Sequence, residues 1–190
     1  MVTPAMRMAA IRETGARVGD AEASEQQKVC EQLAQQIQTE PDPLVRRTIQ
    51  ETVAKLDAPL ARDMLVAGLQ DEDREVRMQC CRLLGRRGDA AAIQRLAVVA
   101  QADADFDVRM AAVDSLGKIK TPASVAALAA ALKDSDPAMQ YAGVQAMRGA
   151  SGQDLGNDVN AWRQYAESLP AGAGSGEAAV ASNPDAPLPR

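Results

Sequence analysis

The chain has 190 residues, 46% of them hydrophobic but only 2% aromatic, with a net charge of −5 at pH 7 and no histidine. That is ample for a continuous core, but one filled by Ala, Leu, Val and Met; this bias favours helix, and the clusters that mark strands are missing. The acidic balance argues against a surface built to neutralise phosphates, leaving room for a local basic patch, and without histidine the commonest general base and metal ligand are gone.

In chain order, the first helical stretch runs from Thr3 to Gly15, and its Met6-Arg7 pair aligns with pairs that recur downstream. Two explanations stand side by side: a half-repeat that caps the chain, or the remnant of a longer protein whose upstream part, with any targeting signal, is missing. Residues 16–25 predict a longer loop, followed by a helix containing Leu33 and Ile37. Four cassettes follow: Asp42-Pro-Leu-Val-Arg46, Asp73-Arg-Glu-Val-Arg77, Asp105-Phe-Asp-Val-Arg109 and Asp136-Pro-Ala-Met-Gln140. Their aspartates lie 31, 32 and 31 residues apart. A unit this short cannot bury its own apolar face and must stack on its neighbours.

Each cassette aspartate precedes a helical run whose first free N–H groups its side chain can accept, with proline next in Asp42-Pro43 and Asp136-Pro137. Counting the Val or Met of a cassette as zero, position +4 holds Ile49, Cys80, Ala112 and Gly143, and position +8 holds Val53, Leu84, Leu116 and Met147. These share one helix face. Position +9 is Gly85 or Gly117 in the two clearest copies, read as a left-handed helix end. Between cassettes, Asp57, Asp89 and Thr121-Pro122 are start signals for helices carrying the apolar runs 60–69, 93–100 and 125–132. The expected units are therefore 3–15 as a half-repeat, then 26–56, 57–87, 88–119 and 120–150. A capping helix over 156–169 follows, with Trp162 as a lid on the last unit. Residues 170–190, rich in Gly, Ala, Ser and Pro, are expected to be disordered.

The pattern Asp-x-x-Val-Arg-x-x-Ala-x-x-x-Leu-Gly, best matched by Asp105 to Gly117, resembles the second helix of a short HEAT repeat, the variety also found in phycobilisome-lyase-type arrays. The stretch from Gly152 through Trp162 resembles the closing segment of uncharacterised bacterial HEAT proteins. The resemblance implies a right-handed α-α superhelix of about four helical hairpins, whose second helices line a concave face. It further implies a non-catalytic scaffold that binds a protein or peptide, with no cofactor, and a monomer is expected. Alternatives of other classes are a bilin-lyase-like enzyme and a nucleic-acid binder like the alkylpurine DNA glycosylases of this fold, the latter disfavoured by the acidic balance.

Two sets of residues are candidates for function. In HEAT arrays the cassette acid and base form a ladder between adjacent repeats, which assigns Asp42, Arg46, Asp73, Arg77, Asp105, Arg109 and Asp136 a structural role; the competing reading is that Arg46, Arg77 and Arg109 line a groove for acidic ligands. Position +2, with Met8, Arg47, Met78, Met110 and Tyr141, is either an adaptable peptide-binding stripe or half-buried between helices. Position +6, with Glu51, Arg82, Asp114 and Gln145, is expected to be exposed and to tune specificity. Cys30, Cys80 and Cys81 lack the spacing of a metal or redox site and read as small buried hydrophobes. Asp71-Glu72-Asp73 lacks the glycine and glutamate of a calcium loop. Without an apolar run long enough for a span or a signal peptide, a cytoplasmic protein is the default, exported or anchored if an upstream segment was removed.

Overall fold

The computed structural model describes residues 2–169; the tail at 170–190, expected to be disordered, lies outside them. Ten α-helices occur among the described residues: α1 Pro4–Val18, α2 Ala23–Thr39, α3 Pro43–Val53, α4 Pro59–Gly68, α5 Arg74–Arg87, α6 Ala90–Ala102, α7 Phe106–Gly117, α8 Pro122–Leu128, α9 Pro137–Ser151 and α10 Val159–Ser168. A 3-10 turn, Ala131–Lys133, follows α8. No strand is found among the described residues.

The helix starts follow directly from local chemistry. Asp42, Asp73, Asp105 and Asp136 are the N-caps of α3, α5, α7 and α9, each accepting a backbone N–H two residues on at 2.8–2.9 Å. Asp89 caps α6, and Thr121 with Ser124 forms a capping box on α8. Asp57 does not start α4: the N-cap is Ala58, and the Asp57 N–H is donated to Gln26 Oε1 at 2.6 Å. Gln26 also donates to the carbonyls of Gly19 and Ala21, so the expected long loop at 16–25 shrinks to the few residues between Val18 and Ala23. The apolar run 125–132 is split as well, because α8 ends at Leu128 and the chain tightens into the 3-10 turn.

The helices form two layers. α1, α3, α5, α7 and α9 lie in one row, each packed on the next, while α2, α4, α6 and α8 cover one side of that row. In α3, α5, α7 and α9, positions zero, +4 and +8 point into the layer between; α1 departs from this, with Met6 58% exposed and Ala10 exposed. Val45, Ile49, Val53, Val76, Cys80, Leu84, Val108, Ala112, Leu116, Met139 and Met147 are fully buried. This architecture is an all-α solenoid. It is closed at one end by α10, whose Trp162 is fully buried, donates its ring N–H to Gly156 O at 2.9 Å and meets Tyr165 edge-on.

Glycine at +9 plays a different part from the one its sequence position suggests. Gly85 lies inside α5 and Gly117 is the last residue of α7; neither has a positive φ, and the left-handed cap of α5 is Gly88 instead. What requires glycine is the neighbouring helix. A Cβ on Gly85 would stand 2.8 Å from Ser115 Cβ, and one on Gly117 would stand 2.7 Å from Ala146 Cα. Gly15 of α1 faces Thr52 in the same way, at 2.3 Å from its methyl. Position +9 of one row helix thus meets position +7 of the next, and the absent side chain lets their backbones approach.

Candidate functional site

The row of second helices is linked by guanidinium groups, but Arg7, Arg46 and Arg77 do not pair with the cassette aspartates; among the described residues Asp105 alone of these is approached by a cation, Arg74 at 3.6 Å. Arg46 donates through Nε and Nη2 to Asp71 at 2.9 and 2.8 Å, and Arg77 does the same to Asp103 at 2.9 and 3.1 Å. Arg7 of α1 pairs with Glu40 at 2.9 Å through both nitrogens. Arg46 Nη2 also reaches Glu72 at 3.2 Å, but the bidentate acceptor in each case is the acid two residues before the helix cap of the next unit. That same acid accepts the N–H of the cap residue, as Glu40, Asp71, Asp103 and Asp134 do for Asp42, Asp73, Asp105 and Asp136. Arg46 and Arg77 also donate Nη1 to two carbonyls of their own preceding turn. Hydrogen bonding to the facing carboxylate holds both guanidiniums above their ordinary pKa despite burial. The cassette aspartates remain caps. Burial pushes Asp105 up, but the N–H groups of Val108 and Asp107 and the charge of Arg74 outweigh it, so its pKa lies below the usual carboxylate value.

Arg109 breaks the series. Its guanidinium lies 5.3 Å from the centre of the Phe106 ring and donates to Asp103 O, while Asp134 has no cation within ion-pair distance among the described residues. In the last unit Gln140 takes the arginine's place and keeps the contact to its turn, donating to Asp134 O at 2.7 Å.

The +2 row is not an open stripe of methionines. Met78 is 8% exposed and joins the core, and Met8 and Met110 are half-buried against it. The reason is geometric: +2 lies on the flank of each helix, against its neighbour in the row. Arg47 is half-buried with Nε unpaired, and Tyr141 is the exposed member, at 58%. At +6, Arg82 and Asp114 are exposed, and Glu51 and Gln145 half-buried.

Two clefts open between successive row helices. One, of about 450 Å³, lies between α3 and α5; Ala54 and Leu83 form its floor, Glu51 and Gln79 are hydrogen-bonded to each other at 3.0 Å, and Lys55, Arg86 and Arg87 occupy its C-terminal end. The other, of about 360 Å³, lies between α7 and α9 and includes Met110, Asp114, Gly117, Lys118, Gln145 and Ala146. At the α3–α5 junction the +9 and +7 positions are Ala54 and Leu83, where the other junctions have glycine against Thr52, Ser115 or Ala146. This was visible as a departure from the repeat once +9 is understood as a contact position. On the opposite side, an apolar cleft of about 350 Å³ between α2 and α4 is lined by Ile37, Leu60, Met64 and the buried Gln50.

None of the three thiols is accessible. Cys30, Cys80 and Cys81 are buried and unpaired; burial pushes all three pKa values up, Cys81 to about 12. No helix among the described residues is long and apolar enough to cross a membrane.

A family model of HEAT repeats matches residues 30–115 and 96–155, which span α3 to α9 entirely. The chain belongs to the HEAT-repeat family. Among solved structures, human deoxyhypusine hydroxylase in complex with glycerol is similar, at 23% identity and a TM-score of 0.58, over 65% of this chain. The match spans 44% of the hydroxylase chain, under half its length, and at that identity it shows a shared fold. An engineered protein is similar at 17% identity and a TM-score of 0.49, over 86% of this HEAT chain and 90% of its own. A comparison with curated proteins finds no match.

Proposed function

We propose that this HEAT protein is a non-catalytic scaffold that docks a partner protein on the open side of its second-helix row. The observation that carries this reading is the pair of clefts between α3 and α5 and between α7 and α9, each with an apolar floor and a polar rim. Exposed side chains at +6 and Tyr141 at +2 border the same face. The volumes lie within the range of about 300–1,000 Å³ usual for binding clefts, and side chains repeated at one helix spacing suit an extended or helical segment. The ladder arginines Arg46 and Arg77 are engaged by facing carboxylates and turn carbonyls, which supports a structural role for them.

The test is site-specific photo-crosslinking in the native host, with a crosslinking amino acid at Arg82, Gln145 or Tyr141 on the open face and at Val98 on the outer layer. Partners captured from the three open-face positions and not from Val98 support the reading. Capture at Val98 alone overturns it.

A further inference from the structure

The cleft between α3 and α5 carries a charge imbalance that the rest of the molecule does not predict. The protein is acidic overall, at −5. Yet Lys55, Arg86 and Arg87 converge at one end of this cleft against the single carboxylate Glu51, which is already engaged by Gln79. None of the three cations makes an ion pair or a side-chain hydrogen bond among the described residues, and neither does Arg82 on the exposed face of α5. Cations at helix C-termini complement the helix dipole, but each helix end offers only about half an elementary charge. Two such ends and Glu51 leave the three cations in excess.

The cleft between α7 and α9 supplies an internal contrast. There Lys118 is paired with Asp114 at 2.6 Å, and Gly149 stands where α5 has Arg86. Arg148 is committed to Asp154 and to Gln145. Similar architecture thus yields a neutralised cleft at one junction and an uncompensated basic one at the other.

Resting on the docking reading above, we infer that the α3–α5 cleft binds an acidic segment of a partner protein, in which carboxylates flank an apolar side chain. The carboxylates meet Lys55, Arg86 and Arg87, and the apolar side chain lies on Ala54 and Leu83. A protein segment fits better than a nucleic acid for two reasons. No aromatic side chain lines the cleft to stack a base, and Glu51 would repel a continuous run of phosphates.

The experiment measures fluorescence anisotropy of a labelled peptide, Gly-Glu-Glu-Leu-Glu-Glu-Gly, titrated with the full chain at low and high salt. Saturable, salt-sensitive binding is expected. The double substitution Arg86→Glu/Arg87→Glu should weaken it by about tenfold or more, as reversal of two partly exposed charges implies. Lys118→Glu in the other cleft should change it by less than about twofold, and a peptide with glutamine in place of glutamate should not bind. Arg86→Gln/Arg87→Gln, which removes the two charges without reversing them, guards against misfolding and should give an intermediate loss. Equal affinity in the charge-reversed protein, or oligouridylate binding the same site as tightly as the peptide, overturns the inference. Should the peptide fail while open-face crosslinks persist in the Arg86→Glu/Arg87→Glu protein, the docking reading stands and the acidic-partner inference falls.

Discussion

The close approach of α7 and α9 at Gly117 leads to a prediction whose sign separates two roles for the residue. If Gly117 merely ends a helix in an ordinary right-handed conformation, Gly117→Ala stabilises by up to about 1 kcal/mol through helix propensity. If it is the point where two backbones meet, the added Cβ lies 2.7 Å from Ala146 Cα and 2.8 Å from Ala146 Cβ. Carbon atoms prefer a separation of about 3.5–4.0 Å, so the two helices must move apart by roughly 1 Å. The nearest atom is backbone, which no rotamer change relieves. Overpacking of this kind costs about 1–3 kcal/mol or more, enough to outweigh the propensity gain. Urea unfolding at 25 °C should therefore give a lower midpoint for Gly117→Ala. Gly15 provides the matched control, because a Cβ there meets the Thr52 methyl at 2.3 Å and Thr52 Cβ at 3.6 Å. Gly15→Ala alone should destabilise, and Thr52→Ser, which deletes that methyl, should recover most of the loss, with a coupling of about 1 kcal/mol or more in the double-mutant cycle. A neutral or stabilised Gly117→Ala, or zero coupling between positions 15 and 52, would refute the close-approach account.

Arg46→Ala removes one partner of a pair whose side chains are 8% and 10% exposed, and should cost about 3–5 kcal/mol, seen as a melting-temperature drop of roughly 6–20 °C; Arg109→Ala, lacking a carboxylate partner, should cost less than half of that. Trp162→Ala should cost about 3–5 kcal/mol in chemical denaturation, since the ring is fully buried on the last repeat. The thiols should be silent to Ellman's reagent in the native protein, and all three should react in guanidinium. Because folding raises the thiol pKa values from 9.0, stability from this source is complete below about pH 9 and falls as pH rises toward the folded values; the unfolding midpoint should decline above pH 9, and less steeply in Cys81→Ala.

The sequence made the repeat unit and its buried face legible, because zero, +4 and +8 reflect the helix period alone, and Val108, Ala112 and Leu116 obey it in the structure. Helix starts were legible wherever an aspartate or threonine cap acts on its own first turn. Asp57 failed that rule because α4 begins at Pro59 with Ala58 as its N-cap, leaving the aspartate one position too early. What one strand of text could not carry was pairing between repeats. The ladder acceptor sits two residues before the cap, since Arg46 and Arg77 of the preceding row helix reach that turn. Met78 looked available at +2 because sequence spacing does not reveal how close the next helix lies. The basic cleft escaped notice for a related reason: Lys55 belongs to one unit, Arg86 and Arg87 to the next, and only stacking brings them together.

The missing rung at Arg109 makes the rod uneven along its length. Junctions from α1 through α7 are latched by partly buried guanidinium–carboxylate contacts, whereas the joint between α7 and α9 relies on apolar fit and glycine contact. Mechanical pulling from both termini would find the weaker seam there, so the final hairpin and α10 should peel away together before the remainder yields.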